Sequence, residues 1–236
     1  MKTLAIYGTG GLGREILDHA NASNAVNKQW SEIIFVVDAE YLSARTVNDV
    51  RVWSFDEFCD RYSAAGAVVV IGNGEPEIRS ALADKVKKRG FELCSVIHPS
   101  AVIGSKAQIG SGTVVSYGCF ISCNTMVGEN VYVNVNVYVG HDTGIDADSV
   151  LSPNVNLSGN VTVGKRTYIG TGAMVKEGVS IGERTIIGMG AVVTKNIPDK
   201  VIAMGVPARV TAENTRGLVF GKKPESAAAA AVAGKK

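Results

Sequence analysis

A repeat with a period of six residues constrains this chain more than any other feature. Stepping by six from Ile97, the sequence reads Ile97, Ile103, Ile109, Val115, Ile121, Val127, Val133, Val139, Ile145, Leu151, Leu157, Val163, Ile169, Val175, Ile181, Ile187 and Val193, aliphatic at every step. Four residues after each stands a small or β-branched residue, from Ala101 and Ala107 through Val161 and Thr167 to Ala191 and Ile197. This is the pattern of a β-helix, in which each hexad supplies one short strand and one turn and both marked positions point inward. Three hexads close one triangular coil, so residues 18 apart stack on the same corner. The third residue after each aliphatic is mostly Asn, Asp or Gly, as at Gly112, Asn124, Asn136, Asp148, Asn154, Asn160 and Gly190, and these types tolerate the left-handed backbone of a tight corner. No hexad is interrupted, so five to six coils without a long excursion loop are expected.

Composition agrees and removes other readings. The chain has 27 glycines among 236 residues and only 6% aromatics, a profile of repetitive β structure, while 46% hydrophobic residues can bury a real core. Lys and Arg number 24 against 22 acidic residues, so no basic field favours nucleic acid. The longest apolar runs, such as residues 33–37 and 67–71, fall far below the roughly 20 residues of a membrane helix. The run at residues 4–8 is too short for a signal peptide. A soluble, cytoplasmic protein is therefore expected, with no membrane and no nucleic-acid partner. Cys59, Cys94, Cys119 and Cys123 show no CxxC spacing and no pairing with nearby histidines, which suits a reducing compartment and small buried side chains, with no metal site expected.

Residues 1–95 read differently. Strands are expected at 3–7, 33–37 and 67–71, alternating with helices at 12–22, 54–65 and 76–89, the second opened by a Ser54 cap with Glu57 and the third by Pro76. This βαβ series implies a parallel sheet. The expected order is thus an α/β half-Rossmann domain (1–95), a left-handed parallel β-helix (96–198) and a C-terminal cap with a tail (199–236), loosely ordered from Thr211 on.

Two places carry candidate chemistry. Gly8-Thr9-Gly10-Gly11-Leu12-Gly13 matches GxGxxG between a strand and a helix, and Asp38 ends the next strand. Such a loop lets a phosphate approach the backbone at a helix N-terminus. Only one mononucleotide half precedes the β-helix, so a nucleotide-linked ligand fits better than a dinucleotide, with Asp38 on its ribose or base. A tight packing turn is the simpler alternative. Gly72-Asn73 ends the third strand at the same edge, as a second wall or merely a turn. In the β-helix, His141 falls on a corner in the column Cys123, His141, Gly159, Glu177, Lys195. An imidazole is the natural general base near neutral pH, and the glycine above it leaves a bare backbone N–H as an oxyanion donor. Asp142 either orients the imidazole or serves the turn, as Asn124 and Asn160 do in its own column. Lys195, three coils above His141 and about 14 Å away, suits the phosphates of a long cofactor. His19 and His98 read as structural, and Arg166 and Arg184 as lying elsewhere or facing a neighbouring subunit. A zinc-dependent β-helix enzyme would need about three histidine ligands, and only His141 lies mid-repeat.

Together these features resemble the bacterial sugar acyltransferases of the NeuD/PglD type. That family includes sialic acid O-acetyltransferases and N-acetyltransferases of nucleotide-linked 4-amino-deoxy sugars such as GDP-perosamine N-acetyltransferase. The resemblance runs from Tyr7-Gly8 through Ile97-His98-Pro99-Ser100-Ala101 and Gly159-Asn160-Val161 to Gly205-Val206-Pro207-Ala208. It implies acetyl-CoA as donor without a metal, and a homotrimer holding the cofactor between adjacent β-helices. It also implies His141 as base, Asp142 as its partner and the Gly159 N–H on the acetyl carbonyl. Cofactor contacts are expected at Gly159, Thr171, Gly190, Lys195 and Pro207, and nucleotide contacts at Gly11, Gly13, Asp38, Gly72 and Asn73. Leu12 and Val150 stand where some relatives carry histidines. The expected reaction is acetylation of the 4-amino group of a nucleotide-linked 4-amino-4,6-dideoxy sugar for surface glycan synthesis. O-acetylation of a sugar such as sialic acid is the alternative.

Overall fold

The structure, a computed structural model, describes residues 1–215 together with Gly217 and Val219. Its N-terminal part contains β1 (Lys2–Tyr7), α1 (Gly11–Val26), β2 (Trp30–Val37), a 3-10 turn at Ala39–Tyr41, β3 (Thr46–Val47), β4 (Val50–Ser54), α2 (Phe55–Arg61), β5 (Ala67–Ile71), α3 (Pro76–Lys88) and β6 (Glu92–Leu93). They form one sheet in the order β3-β4-β2-β1-β5-β6, parallel except for the β3–β4 hairpin. The expected all-parallel series missed that hairpin. Its signal is Asn48-Asp49, both left-handed at φ 47° and 62°, as a two-residue hairpin turn requires. Helix α2 opens with the expected capping box between Ser54 and Glu57 and stops at Arg61, short of the predicted end.

The β-helix begins at β7 (Val96–Ile97) and runs through seventeen two-residue strands, spaced six apart, to β23 (Val192–Val193). Each strand ends on one of the aliphatic residues of the repeat. Residues 18 apart pair in parallel, as in the row Ile121, Val139, Leu157, Val175. The corners are left-handed at Asn124, Asn130, Asn136, Asp142, Asp148, Asn154 and Asn160. The inward threonines keep their hydroxyls paired despite burial: Thr167 donates to the Gly182 carbonyl at 2.7 Å and Thr185 to that of Pro198 at 2.8 Å.

Three expectations are corrected. The repeat ends at Val193 as expected, but Ile197 does not stack on Val179, 18 residues back: it pairs with Ile181, 16 residues back, so the last coil closes two residues short. Ile103, in the first coil, stays partly exposed because no coil lies beneath it. The tail is not loose at Thr211, since β25 (Arg209–Glu213) pairs antiparallel with β24 (Val201–Met204) and extends one β-helix sheet. Between these strands the chain covers the last coil, with the Gly205 carbonyl accepting from Val192 N–H and Ala208 N–H donating back to Val192 O. The run at residues 226–236 lies outside the described residues.

The two parts share a core. Leu4, Ile6, Ile16, Leu17 and Ala20 pack with Val96, Val114, Tyr132 and Val150, the outward residues of one β-helix sheet. Burying each large side chain contributes about 1.5–3 kcal/mol, so this apolar seam outweighs the polar contacts along it. Arg184 and Arg166 belong to that polar edge. They reach Glu77 of α3 at 2.8 and 3.5 Å, within the same chain.

Candidate active site

At the corner after Tyr138–Val139, residue 142 takes a left-handed φ of 55°, which Asp tolerates. The same carboxylate then meets two donors. Its Oδ1 accepts from Asn124 Nδ2 at 3.0 Å, and its Oδ2 lies 2.8 Å from His141 Nδ1. The alternatives read from the sequence are therefore both realised: Asp142 serves the corner column and holds the imidazole. The hydrogen bond to His141, followed by that from Asn124, keeps the Asp142 carboxyl below the usual carboxylate range. An ionised Oδ2 accepts, so Nδ1 carries a hydrogen, and in the neutral ring the lone pair is on Nε2. Nε2 has no partner among the described residues, and the side chain is half exposed.

Gly159 lies directly against this ring. A Cβ there would come within 2.6 Å of both Cε1 and Nε2 of His141, so no other residue leaves the imidazole in place. The Gly159 N–H has no acceptor among the described residues, whereas the next corner amide, Asn160 N–H, is bound by the His141 carbonyl at 2.8 Å. A lone pair and a free amide thus sit one coil apart, the arrangement that proton removal and oxyanion stabilisation require.

The other expected cofactor residues are dispersed. Lys195 follows Val193 at the point where the regular stack ends, and Asn196 turns its Oδ1 to the Ser180 N–H at 2.9 Å. Glu177, exposed, stands between Gly159 and Lys195 in the column. Thr171 and Gly190 lie at the opposite edge of the sheet that leads to His141, joined by Gly190 N–H to Thr171 O at 2.8 Å. Pro207 follows a cis peptide in the exposed loop above the last coil. A single chain does not gather these residues around His141.

In the N-terminal part, a cavity of about 250 Å³ opens at the ends of β1 and β2, lined by Tyr7, Gly8, Thr9, Gly10, Asp38 and Tyr41, with Ile78 and Leu82 of α3. Of the expected nucleotide contacts, only Asp38 lines it. Gly13 is buried, and a Cβ there would overlap the Gly8 carbonyl, so its glycine serves helix–strand packing. Gly72 packs on Gly13 in turn, within 3.0 Å of a Cβ position. Gly11 is exposed at the start of α1, and Asn73 caps the turn by accepting from Glu75 N–H at 2.9 Å. Asp38 receives Tyr7 OH at 2.6 Å and the Lys85 ammonium, both on Oδ1. Burial alone would raise the Asp38 carboxyl, but these two donors outweigh it and hold it low.

His19, structural by its place in the sequence, has surroundings that no local spacing shows. It is buried, bonds Ser116 Oγ at 3.1 Å and meets His98 edge-on at 5.5 Å between ring centres. With Glu15, Asp18, Tyr117 and Asn134 these rings line a cavity of about 380 Å³ at the seam. Among the described residues no cluster of His, Cys, Asp or Glu is arranged to hold a metal, and no helix is long and apolar enough to cross a membrane.

The PglD N-terminal domain family matches residues 3–86, and the bacterial transferase hexapeptide family matches residues 160–195. Among solved structures, a point mutant of perosamine N-acetyltransferase from Caulobacter crescentus, in complex with CoA and GDP-perosamine, is similar at 31% identity and TM-score 0.82, the match covering 90% of this chain and 98% of that one. The acetyltransferase domain of PglB from Neisseria gonorrhoeae matches at 30% identity and TM-score 0.82, over 89% of this chain and all of that one (100%). WeeI from Acinetobacter baumannii matches at 29% identity and TM-score 0.81, over 89% of this chain and 100% of its own. A search of curated proteins found no match. A half-Rossmann domain on a left-handed β-helix with a corner histidine defines an acyltransferase of the hexapeptide-repeat class. Within that class, the chain belongs to the PglD-type sugar acetyltransferase family that includes the perosamine enzyme.

Proposed function

We propose that the protein transfers the acetyl group of acetyl-CoA to the 4-amino group of a nucleotide-linked 4-amino-4,6-dideoxy sugar, of which GDP-perosamine is the model. The observation that carries this reading is the His141–Asp142 pair against Gly159, in a chain kin to an enzyme whose structure holds CoA and GDP-perosamine. The neutral amine attacks the thioester carbonyl carbon, and the carbonyl oxygen gains the charge that the Gly159 N–H stabilises. His141 Nε2 takes the proton from the attacking nitrogen while Asp142 supports the resulting imidazolium. The C–S bond then breaks, and the thiolate of CoA leaves and is protonated. No step requires a metal.

In this reading residues 1–95 bind the nucleotide at the cavity beside Asp38, residues 96–198 hold the acetyl donor, and residues from 199 on cap the coil. Lys195 meets the phosphate end of the cofactor along the His141 column of the same chain, while Thr171, Gly190 and Pro207 contact the cofactor only if a second subunit brings them to His141. An apolar stripe supports such assembly. Val102, Phe120 and Tyr138, 39–53% exposed, follow one another along one β-helix face, with Phe120 and Tyr138 stacked at 5.4 Å, and the exposed Met174 lies beyond Asn156 in the same row. Exposed apolar stripes of this kind mark interaction surfaces, and a homotrimer that buries them fits the expected cofactor groove. A cytoplasmic location and a role in O-antigen or other surface glycan synthesis follow from the substrate class.

The test is an acetylation assay with acetyl-CoA against GDP-perosamine and free sialic acid, together with light scattering for the trimer. Transfer to the amine of the nucleotide sugar supports the reading. Transfer to a sialic acid hydroxyl alone would establish the O-acetyltransferase alternative.

A further inference from the structure

Arg79 of α3 is completely buried, yet no carboxylate lies within hydrogen-bond distance of it among the described residues. Its guanidinium is spent on neutral oxygens of both halves of the molecule. Nη1 donates to the carbonyls of Ile71 and Asn73, at 2.9 and 2.8 Å, on either side of Gly72. Nε and Nη2 donate to the Asn130 carbonyl on a β-helix corner at 3.1 and 2.9 Å, and Nη2 also to Asn130 Oδ1 at 3.1 Å. Asn130 Nδ2 passes the chain of bonds on to Asp148 Oδ1 at 2.8 Å.

Desolvating a charge costs several kcal/mol, and a well-packed apolar side chain would serve stability as well or better. What an apolar residue cannot do is hold two segments in one fixed relation. The segment held on the N-terminal side adjoins the Gly-rich loop: a Cβ at Gly8, which lines the cavity beside Asp38, would lie 2.8 Å from the Gly72 oxygen. A shift of the Gly72–Asn73 turn therefore moves the wall of the cavity.

We infer that Arg79 is a positioning residue for acceptor binding, which locks the Gly72–Asn73 turn, and through it the Gly8–Gly10 loop, to the β-helix corner at Asn130. The inference rests on the proposed binding of a nucleotide sugar at that loop. A planar fork is essential to it, because an ammonium has three donors at a single point and cannot reach the four oxygens that the spread nitrogens of the guanidinium meet.

The experiment compares Arg79→Lys, Arg79→Met and Asn130→Gly with wild type. Glycine keeps the left-handed backbone of residue 130, where φ is 54°, and removes only the side-chain link. Affinity for GDP, UDP and dTDP is measured by calorimetry, KM for acetyl-CoA and for GDP-perosamine by initial rates, and folding by thermal melting. Expected are a loss of nucleotide affinity and a rise in acceptor KM of about tenfold or more in Arg79→Lys and Arg79→Met, with acetyl-CoA KM unchanged. A smaller change of the same kind is expected in Asn130→Gly, which keeps the protein measurable if both Arg79 variants fail to fold. Variants that bind nucleotide and acceptor as wild type does, or that raise both KM values in parallel, overturn the positioning role and leave nucleotide binding intact. Wild type that binds none of the three nucleotides overturns the underlying reading, and this inference with it.

Discussion

The imidazole of His141 rests against Gly159 so closely that a single methyl group at residue 159 would fall 2.6 Å from its Cε1 and Nε2. Because the backbone at Gly159 is not left-handed, the glycine is required by the ring below it and not by the turn. Gly159→Ala is expected to fold, since the half-exposed imidazole can swing outward. Displacing the base by about 1 Å or more should then lower turnover roughly 10²-fold. Measured kcat and melting temperature decide the matter: an alanine variant with wild-type turnover would remove this contact from the mechanism.

His141→Asn should keep the fold, because residue 141 is not left-handed and its side chain is half exposed, and should lower turnover by roughly 10² to 10⁴. Asp142→Asn should cost less, since it disturbs only the orientation and basicity of the ring. In wild type the rate should rise with pH as the base loses its proton, and that limb should vanish or move in His141→Asn. Near wild-type turnover with an unchanged pH profile in the histidine variant would place the base elsewhere.

Lys195→Ala tests the cofactor path. If Lys195 meets the phosphates of CoA, its loss removes an interaction present in both ground and transition states, raising the KM for acetyl-CoA more than it lowers kcat. Glu177 lies between Lys195 and Gly159 in the column, so Glu177→Gln should lower that KM or leave it unchanged. Unaltered acetyl-CoA dependence in Lys195→Ala would move the phosphates to another part of the surface.

His19 makes stability depend on pH. Burial first, and the neighbouring His98 second, push its imidazole down from 6.5 to about 4, against the weaker opposing pull of Asp18. The unfolded chain takes up this proton below about pH 6.5 and the folded chain does not until about pH 4. The full stability is thus present above pH 6.5 and falls as pH drops toward 4, by about 3 kcal/mol at most from this group. Urea unfolding between pH 7 and 4.5 should show the slope in wild type and a shallower one in His19→Gln. The carboxylates held low, Asp38, Asp142 and Glu57, act mainly below that window. An identical slope in both proteins would assign the pH dependence to other groups.

The sequence alone determined the β-helix, its corners and the pairing of His141 with Gly159, because a period-six strand–turn repeat makes 18-residue stacking a matter of counting. It also determined the strand–loop–helix at Gly8–Gly13, since both ends of that turn are local. The register of Ile197 escaped the same counting: it keeps the aliphatic pattern, but with no regular coil above it the chain closes two residues early and pairs it with Ile181. The Gly-rich loop shows the other limit. Gly13 and Gly72 match a ligand-binding pattern by type, while packing between β1, β5 and α1 buries them and leaves Gly8, Thr9 and Gly10 facing the cavity. Tertiary structure alone decided the contacts between residues far apart in the chain. Glu77 with Arg166 and Arg184, His19 with Ser116 and His98, and Arg79 with Asn130 have no fixed spacing, and they follow from how the sheet of the N-terminal part docks on the β-helix. That docking is set by nondirectional apolar burial between two surfaces, which no local pattern encodes.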